Sequence, residues 1–464
     1  MISFEINKTD IVLDYRFEPS YYYYSKVLHK ELENRGIQFV MLNKLCDYIS
    51  DGEHSALPRL KEGTKRYLYG RNLKDGIVNY DSITDSSYIS DEDYEKYPRI
   101  YIKENDILMT IVGTVGNVAL YRSSYIGIAG INRNIAKIAI KKESWATPEY
   151  IMAYFMSKMG KHQISNITTG NVQPLLSLNN IKKIKVPQLP ESDVEKITVF
   201  VQEYIDKEIE ALRLIEQAKD IFKKETGFSC YIENKCNFFE TNLSEINKEG
   251  IWTPEFSRPR YSNIINFLSQ KHKLVMLREL ISIGKGDEVG SDNYKTDLQK
   301  LDSDVPFIRT SDIVNYDVDL YPDYYIQESI YDELNQEIKP GDLVFSKDGK
   351  IGALAMITSF DKIILSSGFA RMRCKRNDYS VTPEYIFIAL SINEIGYYGA
   401  KKRTVVASTI PHVRENQILN IEIPIVDKSI IDEITNLVKK AFLLKDEKKK
   451  IMKELKLFME LKLL

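Results

Sequence analysis

A group of forked hydrogen-bonding side chains follows a predicted strand in the first third of the chain. Within Ile131-Asn-Arg-Asn-Ile135, Asn132, Arg133 and Asn134 stand next to one another. Arginine and asparagine can each form two parallel hydrogen bonds with one base edge, and three such groups are a poor choice for a purely structural turn. This segment is therefore a candidate for direct contact with nucleic-acid bases, and a structural turn is the alternative.

Two further segments of the first half carry similar side chains. Arg71 and Asn72 belong to a Tyr-Gly-Arg-Asn turn, and Thr169, Asn171 and Gln173 belong to a polar loop. Asn171 and Gln173 could each pair with adenine through two hydrogen bonds, or could cap backbone groups inside the loop. The sequence leaves both interpretations open.

The second half of the chain offers basic and polar candidates in comparable places. They are Arg309, Ser311, Lys347, Lys350, Arg371, Arg373, Lys401, Lys402 and Arg403. The cluster of three at 401–403 favours phosphate contacts, because three adjacent basic groups are poorly shaped for selective base recognition. We expect the same role for Lys182 and Lys183 in the first half, with a solvated edge strand as the alternative.

Motifs for catalysis are missing from the sequence. There is no Pro-Pro dipeptide, which the base-gripping loop of amino-methyltransferases needs, and no G-x-x-x-x-G-K-[ST] phosphate loop. In Gly284–Gly290, Val289 stands where a dinucleotide-binding loop has its third glycine. The five histidines are dispersed, and the four cysteines are too scattered for a zinc site. We therefore expect a chain that is not an enzyme and binds no metal or cofactor.

The elements that must position these residues occur twice. Asn105–Thr110 resembles Gly341–Ser346, and the glycine-containing segment that follows each is also similar. Thr-Pro-Glu-Tyr-Ile begins at Thr147 and again at Thr382. The landmarks keep their order with an offset near 236, which is far longer than the ~20–50 residues of a solenoid repeat. A whole domain is therefore duplicated.

Each copy combines short β-branched runs with a helix start. The runs lie in 41–190 and 275–426 and are separated by Gly, Asp and Asn turns, which predicts a twisted, mainly antiparallel sheet. Thr147 and Thr382 are expected helix N-caps, each followed by Pro at the first helical position. The predicted fold class is α+β.

A long amphipathic helix is predicted after each copy, and this sets the domain boundaries. We expect a first domain at 1–190, a helix at 191–228, a linker and second domain at 229–426, and a helix at 427–464. Apolar residues recur in steps of three and four along both helices, with Lys448 interrupting the second. We expect the helices to pair as an antiparallel coiled coil that holds the domains at its two ends; helices docked on their own domains are the alternative.

Charge is segregated along a chain that is nearly neutral overall. The 464 residues carry a formal net charge of −2. Phe345–Arg414 is rich in Lys and Arg, whereas Val275–Leu343 is rich in Asp and Glu. A basic face on a neutral molecule fits selective contact with a polyanion, and chance segregation of solvated charges is the alternative. No apolar run reaches the ~18 residues of a membrane span, and the first residues do not resemble a signal peptide, so we expect a cytoplasmic protein.

Together these features resemble the DNA-specificity subunit of type I restriction–modification systems. The resemblance spans almost the whole chain and rests on the duplicated strand and Gly-x-x-Gly loop, the Thr-Pro-Glu-Tyr helix start, the segment Thr168–Ser177, Ile184-Lys-Val-Pro187 and the long helices. The second copy departs from it at Thr404–Val413, where the glycine and glutamine of the first copy are missing.

The resemblance implies a non-catalytic chain that binds double-stranded DNA. Each repeated domain would be a target-recognition domain for one half of a split, asymmetric site, and the helices would dock methyltransferase subunits, two in number. A motor/endonuclease subunit would join them, and S-adenosylmethionine, ATP and Mg²⁺ would belong to these partners. Because the copies differ in their loops, we expect two different half-sites. The alternatives are a self-sufficient restriction or modification enzyme and a tandem protein-interaction scaffold.

Overall fold

The computed structural model describes residues 5, 19–60, 62–79, 87–170, 173–232, 238–244, 247, 252–297, 299–406 and 410–464. The chain forms two compact units. The first unit comprises Met1–Asp206 and Lys450–Leu464, and the second comprises Lys207–Lys449. The division passes through both long helices, α9 (Glu191–Thr226) and α16 (Lys428–Leu463), so each unit contains a part of both.

The first unit is built on two small sheets and two strand pairs. Its strands are β1 (Gln38–Met41), β2 (Cys46–Asp51), β3 (Lys65–Leu68), β4 (Leu73–Lys74), β5 (Ile77–Val78), β6 (Tyr88–Ile89), β7 (Ile107–Thr110), β8 (Val118–Leu120), β9 (Ala129–Ile131), β10 (Ile135–Ile140) and β11 (Lys185–Gln188). Strands β2-β10-β7-β8 form an antiparallel sheet, β6-β3-β9 form a second sheet in which β3 and β9 are parallel, β1 pairs with β11, and β4 pairs with β5.

Short helices surround these sheets. They are α1 (Pro19–Tyr22), α2 (Leu28–Asn34), α3 (Leu42–Leu45), α4 (Asp91–Lys96), α5 (Ser123–Ile126), α6 (Pro148–Met156), α7 (Lys158–Ile167) and α8 (Leu178–Lys182). A π-helical turn, Tyr23–Val27, connects α1 to α2, and 3₁₀ turns occupy Gly70–Asn72 and Pro98–Ile100.

The second unit repeats this architecture. Its strands are β12 (Lys273–Met276), β13 (Ile281–Lys285), β14 (Lys295–Thr296), β15 (Val305–Ile308), β16 (Ile313–Val314), β17 (Asp317–Val318), β18 (Tyr324–Ile326), β19 (Leu343–Ser346), β20 (Leu354–Met356), β21 (Ile364–Leu365), β22 (Phe369–Cys374), β23 (Val405–Val406), β24 (Pro411–His412) and β25 (Glu422–Ile425). Its shorter helices are α10 (Pro259–Ser269), α11 (Leu277–Leu280), α12 (Glu328–Leu334), α13 (Pro383–Ser391), α14 (Gly396–Lys401) and α15 (Glu415–Ile418), with 3₁₀ turns at Phe228–Cys230, Ser291–Asn293 and Thr310–Asp312.

The duplication extends to strand order. Strands β13-β22-β19-β20 match the four-stranded sheet of the first unit, β15 and β21 form the parallel pair, and β12 pairs with β25. The predicted α+β class and mainly antiparallel pairing are confirmed. The sequence did not indicate that each copy has one parallel strand pair, β3–β9 or β15–β21, because short buried runs do not reveal strand direction.

Equivalent side chains stabilise equivalent turns. The Thr147 hydroxyl accepts from Tyr150 N at 3.1 Å and the Thr382 hydroxyl accepts from Tyr385 N at 3.2 Å, as expected for N-caps. The hydroxyl of Thr110 accepts from Asn117 N at 2.9 Å. In the second unit the hydroxyl of Ser346 takes the same role, accepting from Ala353 N at 2.7 Å. These bonds hold the end of the central strand against the loop that follows it.

The long helices pair in an antiparallel manner within the first unit. Lys462 Nζ lies 2.9 Å from the Asp193 carboxylate, and the rings of Phe200 and Phe458 are 6.2 Å apart. Partner numbers on α16 therefore fall as those on α9 rise. The expected coiled coil is present, and the alternative of helices docked only on their own domains is wrong.

Within the second unit the helix pair buries a network of charges. The Glu208 carboxylate lies 3.1 Å from Lys445 Nζ and 2.8 Å from Lys448 Nζ. Lys448 Nζ also lies 3.1 Å from the Asp317 carboxylate, and Lys449 pairs with both Asp317 and Asp361. Asp317 is in β17 and Asp361 lies before β21, so the network joins the helices to the sheets of the same unit.

This network corrects the apolar seam predicted for α16. Leu444 and Leu461 were expected in the seam, but Leu444 is only half-buried and Leu461 is 76% exposed. Lys445, one residue after Leu444, is buried instead, and Lys448, which interrupts the predicted seam, is buried as well. Buried lysines are rare unless they are paired. The carboxylates of the pairs come from distant parts of the chain, so a periodicity of apolar residues could not reveal them.

The lysines of the network lower the pKa of two of its carboxylates, Asp317 and Glu208. Burial raises the pKa of Asp317, but the ammonium groups of Lys449, Lys448 and Lys445 outweigh burial and hold it well below its ordinary value. Burial likewise raises the pKa of Glu208, and Lys445 and Lys448 lower it by more. Both carboxylates are therefore ionised near neutral pH, because nearby opposite charge favours the charged form.

We predict that Glu208→Leu lowers the free energy of unfolding by about 3–5 kcal/mol, because it leaves Lys445 buried without its carboxylate. The double variant Glu208→Leu/Lys445→Leu should recover most of this loss. Urea denaturation followed by circular dichroism measures both, with the exposed Glu210→Ala as the matched control. A single variant as stable as the control would show that the network contributes nothing.

Candidate nucleic-acid interface

The candidate residues of the first unit lie where several strands end together. The parallel strands β3 and β9 end at the same edge, and Asn132 N donates to Leu68 O at 3.1 Å. The turn after β7 joins this edge, because Ile111 N donates to Asn134 O at 2.9 Å. The structure thus brings together the Arg71 turn and the 132–134 turn, which are 60 residues apart in the sequence.

The polar loop of the first unit crosses the turn after β7. Gly113 N donates to Pro174 O at 3.0 Å, and Leu176 N donates to Ile111 O at 2.9 Å. Gly116 ends this turn at a φ of +91°, a region that favours glycine, and an added Cβ would lie 3.1 Å from the side chain of Ile164. We name the assembly of the turns at 69–72, 111–116 and 132–134 and the described parts of the polar loop, 169–170 and 173–175, the first loop-end surface.

The second unit has the same assembly with the same main-chain bonds. Ser366 N donates to Ile308 O at 2.9 Å, and Lys347 N donates to Gly368 O at 2.8 Å. Gly349 N donates to Pro411 O at 3.0 Å, and Gly352 again has a φ of +91°. The turns at 309–312, 347–352 and 366–368 and the strand β24 form the second loop-end surface.

Arg71 and Asn72 have different placements on the first surface. The Arg71 guanidinium is exposed and lies 5.1 Å from the ring centre of Tyr69. Asn72 is buried; its Oδ1 accepts from Tyr69 N at 2.8 Å and its amide donates to Asn79 O. Its amide is committed to the turn, which is a structural role, and Asp312 makes the same cap on Arg309 N in the second unit.

The 132–134 turn presents its central side chain to solvent. Arg133 is exposed, while Asn132 and Asn134 are half-buried. Asn132 Oδ1 accepts from Asn134 N at 3.2 Å, so this asparagine also shapes the turn. Arg133 is therefore the member of the group that is best placed to reach a ligand.

The remaining candidates of the first unit are exposed where they are described. Thr169 pairs with Leu175 through main-chain bonds, and Gln173 is exposed. Asn171 lies outside the described residues. Lys182 and Lys183 are exposed at the end of α8, ahead of β11, and belong to a part of the unit other than the first loop-end surface as we define it.

In the second unit Arg309 and Ser311 occupy the first turn of the surface. The Arg309 guanidinium lies 4.2 Å from the ring centre of Tyr324 and 3.0 Å from the Asp323 carboxylate. Ser311 is exposed and donates to Asp312 at 3.2 Å. Their position matches that of Arg71 and its neighbours.

Lys347 and Lys350 lie in the next turn, with unequal exposure. Lys347 is buried, and its Nζ lies 3.6 Å from the Asp348 carboxylate and 3.4 Å from that of Glu415. Lys350 is half-buried. Lys347 therefore neutralises nearby acids, whereas Lys350 retains access to solvent.

Arg371 and Arg373 are on β22 rather than at a loop end. Arg373 makes a bidentate pair with the buried Asp342 carboxylate at 2.7 Å, and Arg371 donates to Gln336 O. The pairing raises the pKa of Arg373, chiefly through the hydrogen bond to Asp342. Both guanidinium groups are thereby tied to the sheet of their own unit.

The basic cluster at 401–403 ends α14 beside the second surface. An added Cβ at Gly352 would lie 3.2 Å from Tyr397 of α14, which places the helix against this turn. Lys401 lies 5.4 Å from the Tyr397 ring centre, Lys402 lies 4.6 Å from that of Phe256, and Arg403 donates to Gly399 O at 3.0 Å. All three are half-buried.

Sequence reasoning missed two features of the second surface. Its counterpart to Asn132, Arg133 and Asn134 is Ser366-Ser367-Gly368, which carries no basic group and gave no signal. It also missed Asp348 and His412, whose side chains are in close contact across the loops. The contact of Asp348 with His412 is visible only in the folded loops, although the offset near 236 already aligns Asp348 with Val112.

Neither a metal cluster nor a bilayer-spanning helix occurs in the described parts of the chain. No group of three or more His, Cys, Asp or Glu residues there is arranged to hold a metal ion. Of the helices described, none is both long and apolar enough to cross a membrane.

The chain resembles known proteins in sequence and in structure. The sequence model described as "Type I restriction modification DNA specificity domain" matches residues 34–220 and 271–456. A search of curated proteins gives no significant match. Among solved structures, the type I restriction–modification S subunit from M. genitalium shares 13% identity at a TM-score of 0.31, covering 92% of this chain and 94% of that one.

The HsdS subunit from Thermoanaerobacter tengcongensis is similar at 14% identity and a TM-score of 0.30, covering 92% of this chain and 96% of that one. At these TM-scores the structural likenesses carry no argument, and the assignment rests on the sequence model. That model matches twice, once in each repeated copy, and covers most of the chain. The chain belongs to the family of type I restriction–modification specificity subunits, which recognise DNA sequence and are not themselves catalytic.

Proposed function

We propose that this chain binds a DNA site composed of two different half-sites, one contacted by each loop-end surface. The observation that carries the proposal is the contrast between shared backbone and different side chains. The main-chain bonds of the two surfaces correspond one to one, yet Asn132-Arg133-Asn134 is replaced by Ser366-Ser367-Gly368. Two loop-end surfaces with the same main-chain arrangement but different side chains are suited to recognising two different sequences.

The chemistry of the first surface suits direct contact with base edges. Arg133 is exposed, and an arginine fork matches the O6 and N7 acceptors of guanine. Gln173 can pair in the same way with the N6 and N7 atoms of adenine. The second surface has a single exposed hydroxyl, Ser311, in place of Arg71, so its contacts must be chemically different.

Phosphate contacts would orient each unit on the duplex. Lys182 and Lys183 are exposed on the first unit, and Lys350 and the cluster at 401–403 lie at the second surface. Such groups supply sequence-independent affinity by releasing counterions. The base-contacting groups then supply the selectivity.

The long helices would dock partner subunits. Large apolar side chains are exposed on them: Val199 on α9, and Leu443, Leu457 and Leu461 on α16. Leu457 and Leu461 are four residues apart and so share one helical face. We propose that methyltransferase subunits, two in number, and a motor/endonuclease subunit assemble with this chain, and that S-adenosylmethionine, ATP and Mg²⁺ bind to them.

Selection of bound duplexes from a randomised DNA library tests the DNA-binding proposal. We predict that the purified full chain enriches two different half-sites at a constant spacing. In the same preparation, adding S-adenosylmethionine alone should give no methyl transfer. Enrichment of no sequence would refute the proposal, and methyl transfer by the chain alone would favour the self-sufficient enzyme.

Substitutions at Arg133 and Lys182 should separate base from phosphate contacts. We predict that Arg133→Ala relaxes one position of one half-site by about 1–3 kcal/mol. Lys182→Ala should weaken all sequences alike and reduce the slope of log affinity against log salt by about one unit. Titrations at several salt concentrations measure both, with Arg213→Ala on α9 as control. Uniform weakening by Arg133→Ala would assign that residue to phosphate.

A further inference from the structure

The same cross-loop bridge occurs in both loop-end surfaces, with opposite side-chain chemistry. In the first unit it joins Val112 to Leu175, and in the second it joins Asp348 to His412. Both bridges are antiparallel. Each is followed by the equivalent bond from a glycine N–H to a proline carbonyl, Gly113 to Pro174 and Gly349 to Pro411. The two pairs are therefore structural equivalents.

The bridge of the first unit presents aliphatic groups at the surface. Leu175 is 46% exposed and Val112 is half-buried. The main chain of Leu175 is held to Thr169 by two bonds, since Thr169 N donates to the Leu175 carbonyl at 2.9 Å and the Leu175 N–H donates to Thr169 O at 2.7 Å. An exposed aliphatic group on a main chain held in this way offers contact with the 5-methyl group of thymine, which apolar side chains recognise in the major groove.

The bridge of the second unit presents an oriented imidazole. His412 Nδ1 contacts the Asp348 carboxylate, and the His412 side chain is 41% exposed. Asp348 is also 3.6 Å from buried Lys347, which in turn lies 3.4 Å from Glu415. Because Nδ1 is occupied by the carboxylate, Nε2 is the ring nitrogen left to meet a ligand. This nitrogen can form a hydrogen bond with a base edge but cannot replace a methyl contact.

We propose that this bridge is a specificity-determining pair in each unit. Leu175, supported by Val112, selects a thymine through its methyl group at one position of the first half-site. His412, oriented by Asp348, selects a base through a hydrogen bond at one position of the second half-site. The inference rests on the proposed function and adds the residue and the kind of contact at one position of each half-site.

The main chain makes this position free to vary. Bonds between backbone groups close the loops in both units, so the side chains of Val112, Leu175, Asp348 and His412 are not needed for closure. In the second unit the side-chain contacts of Asp348 with His412 and Lys347 add to these bonds. Substitutions there should leave the fold intact. They should change which base is preferred rather than whether DNA binds.

The first test uses the full chain and the duplex library. Leu175→Ala should lower the preference for thymine at one position of the first half-site by about three- to tenfold and should leave the second half-site unchanged. Ile128→Ala, which alters an aliphatic side chain of similar exposure at the opposite end of β9, is the matched control. Replacing that thymine by deoxyuridine removes only the methyl group. It should weaken the wild-type chain and leave Leu175→Ala unaffected.

The second test removes the polar pair of the second unit and then replaces it by the aliphatic pair of the first unit. His412→Ala should relax one position of the second half-site only. The double variant Asp348→Val/His412→Leu copies the aliphatic pair of the first unit and should acquire a preference for thymine there that deoxyuridine abolishes. Circular dichroism of each variant confirms its fold, and its unchanged half-site is an internal control.

The outcomes separate this inference from the proposed function. Half-sites that are selected by the wild-type chain and remain the same in all three variants would overturn the inference alone. So would a wild-type chain that binds deoxyuridine and thymine duplexes equally well at every position of the first half-site. A wild-type chain that selects no sequence would overturn the proposed function and the inference with it.

Discussion

Main-chain hydrogen bonds between loops are the constraint on which both recognition surfaces depend. In each unit an N–H group after β7 or β19 donates to the turn between β9 and β10 or between β21 and β22, and a glycine N–H donates to a proline carbonyl of the crossing loop. Neither bond involves a side chain, so the main-chain arrangement of the loops is the same in both units although their side chains differ. This explains how Ile111, Val112 and Leu175 in one unit correspond to Lys347, Asp348 and His412 in the other. Recognition chemistry can then change in one unit without rebuilding its fold.

The helix pair is held to the two sets of sheets by different forces. In the first unit the hydroxyl of Tyr204 on α9 donates to Asp75 O at 2.7 Å. In the second unit Glu208 and the three lysines of α16 meet Asp317 and Asp361 in a buried network. Buried ion pairs contribute little net stability compared with apolar packing, but they are strongly disfavoured when a partner is displaced. The network therefore fixes one arrangement of helices and sheets in that unit.

Much of the fold was predictable from the sequence because local signals repeat. Thr147 and Thr382 begin helices as N-caps should, and the long helices begin and end within a few residues of the expected bounds. Their apolar periodicity indicated that they pair, and the duplication of the domains indicated the antiparallel direction. The buried lysines of α16 were not predictable, because their carboxylates come from β17 and from the segment before β21.

The interface was likewise predictable only where neighbours in sequence carried the signal. Arg133 could be recognised from its neighbours in sequence, whereas the bridges Val112–Leu175 and Asp348–His412 exist only in the folded loops. Asn72 and Arg373, chosen for their chemistry, are committed to a turn and to Asp342.

The central claim is that two copies of one frame recognise two unlike half-sites. The most direct measurement is to purify the chain with its methyltransferase partners and to sequence genomic DNA that the complex has methylated. The account predicts methylated sites with two different short sequences separated by a constant number of unspecified bases. A single continuous sequence, or the same short sequence on both sides of the gap, would contradict it.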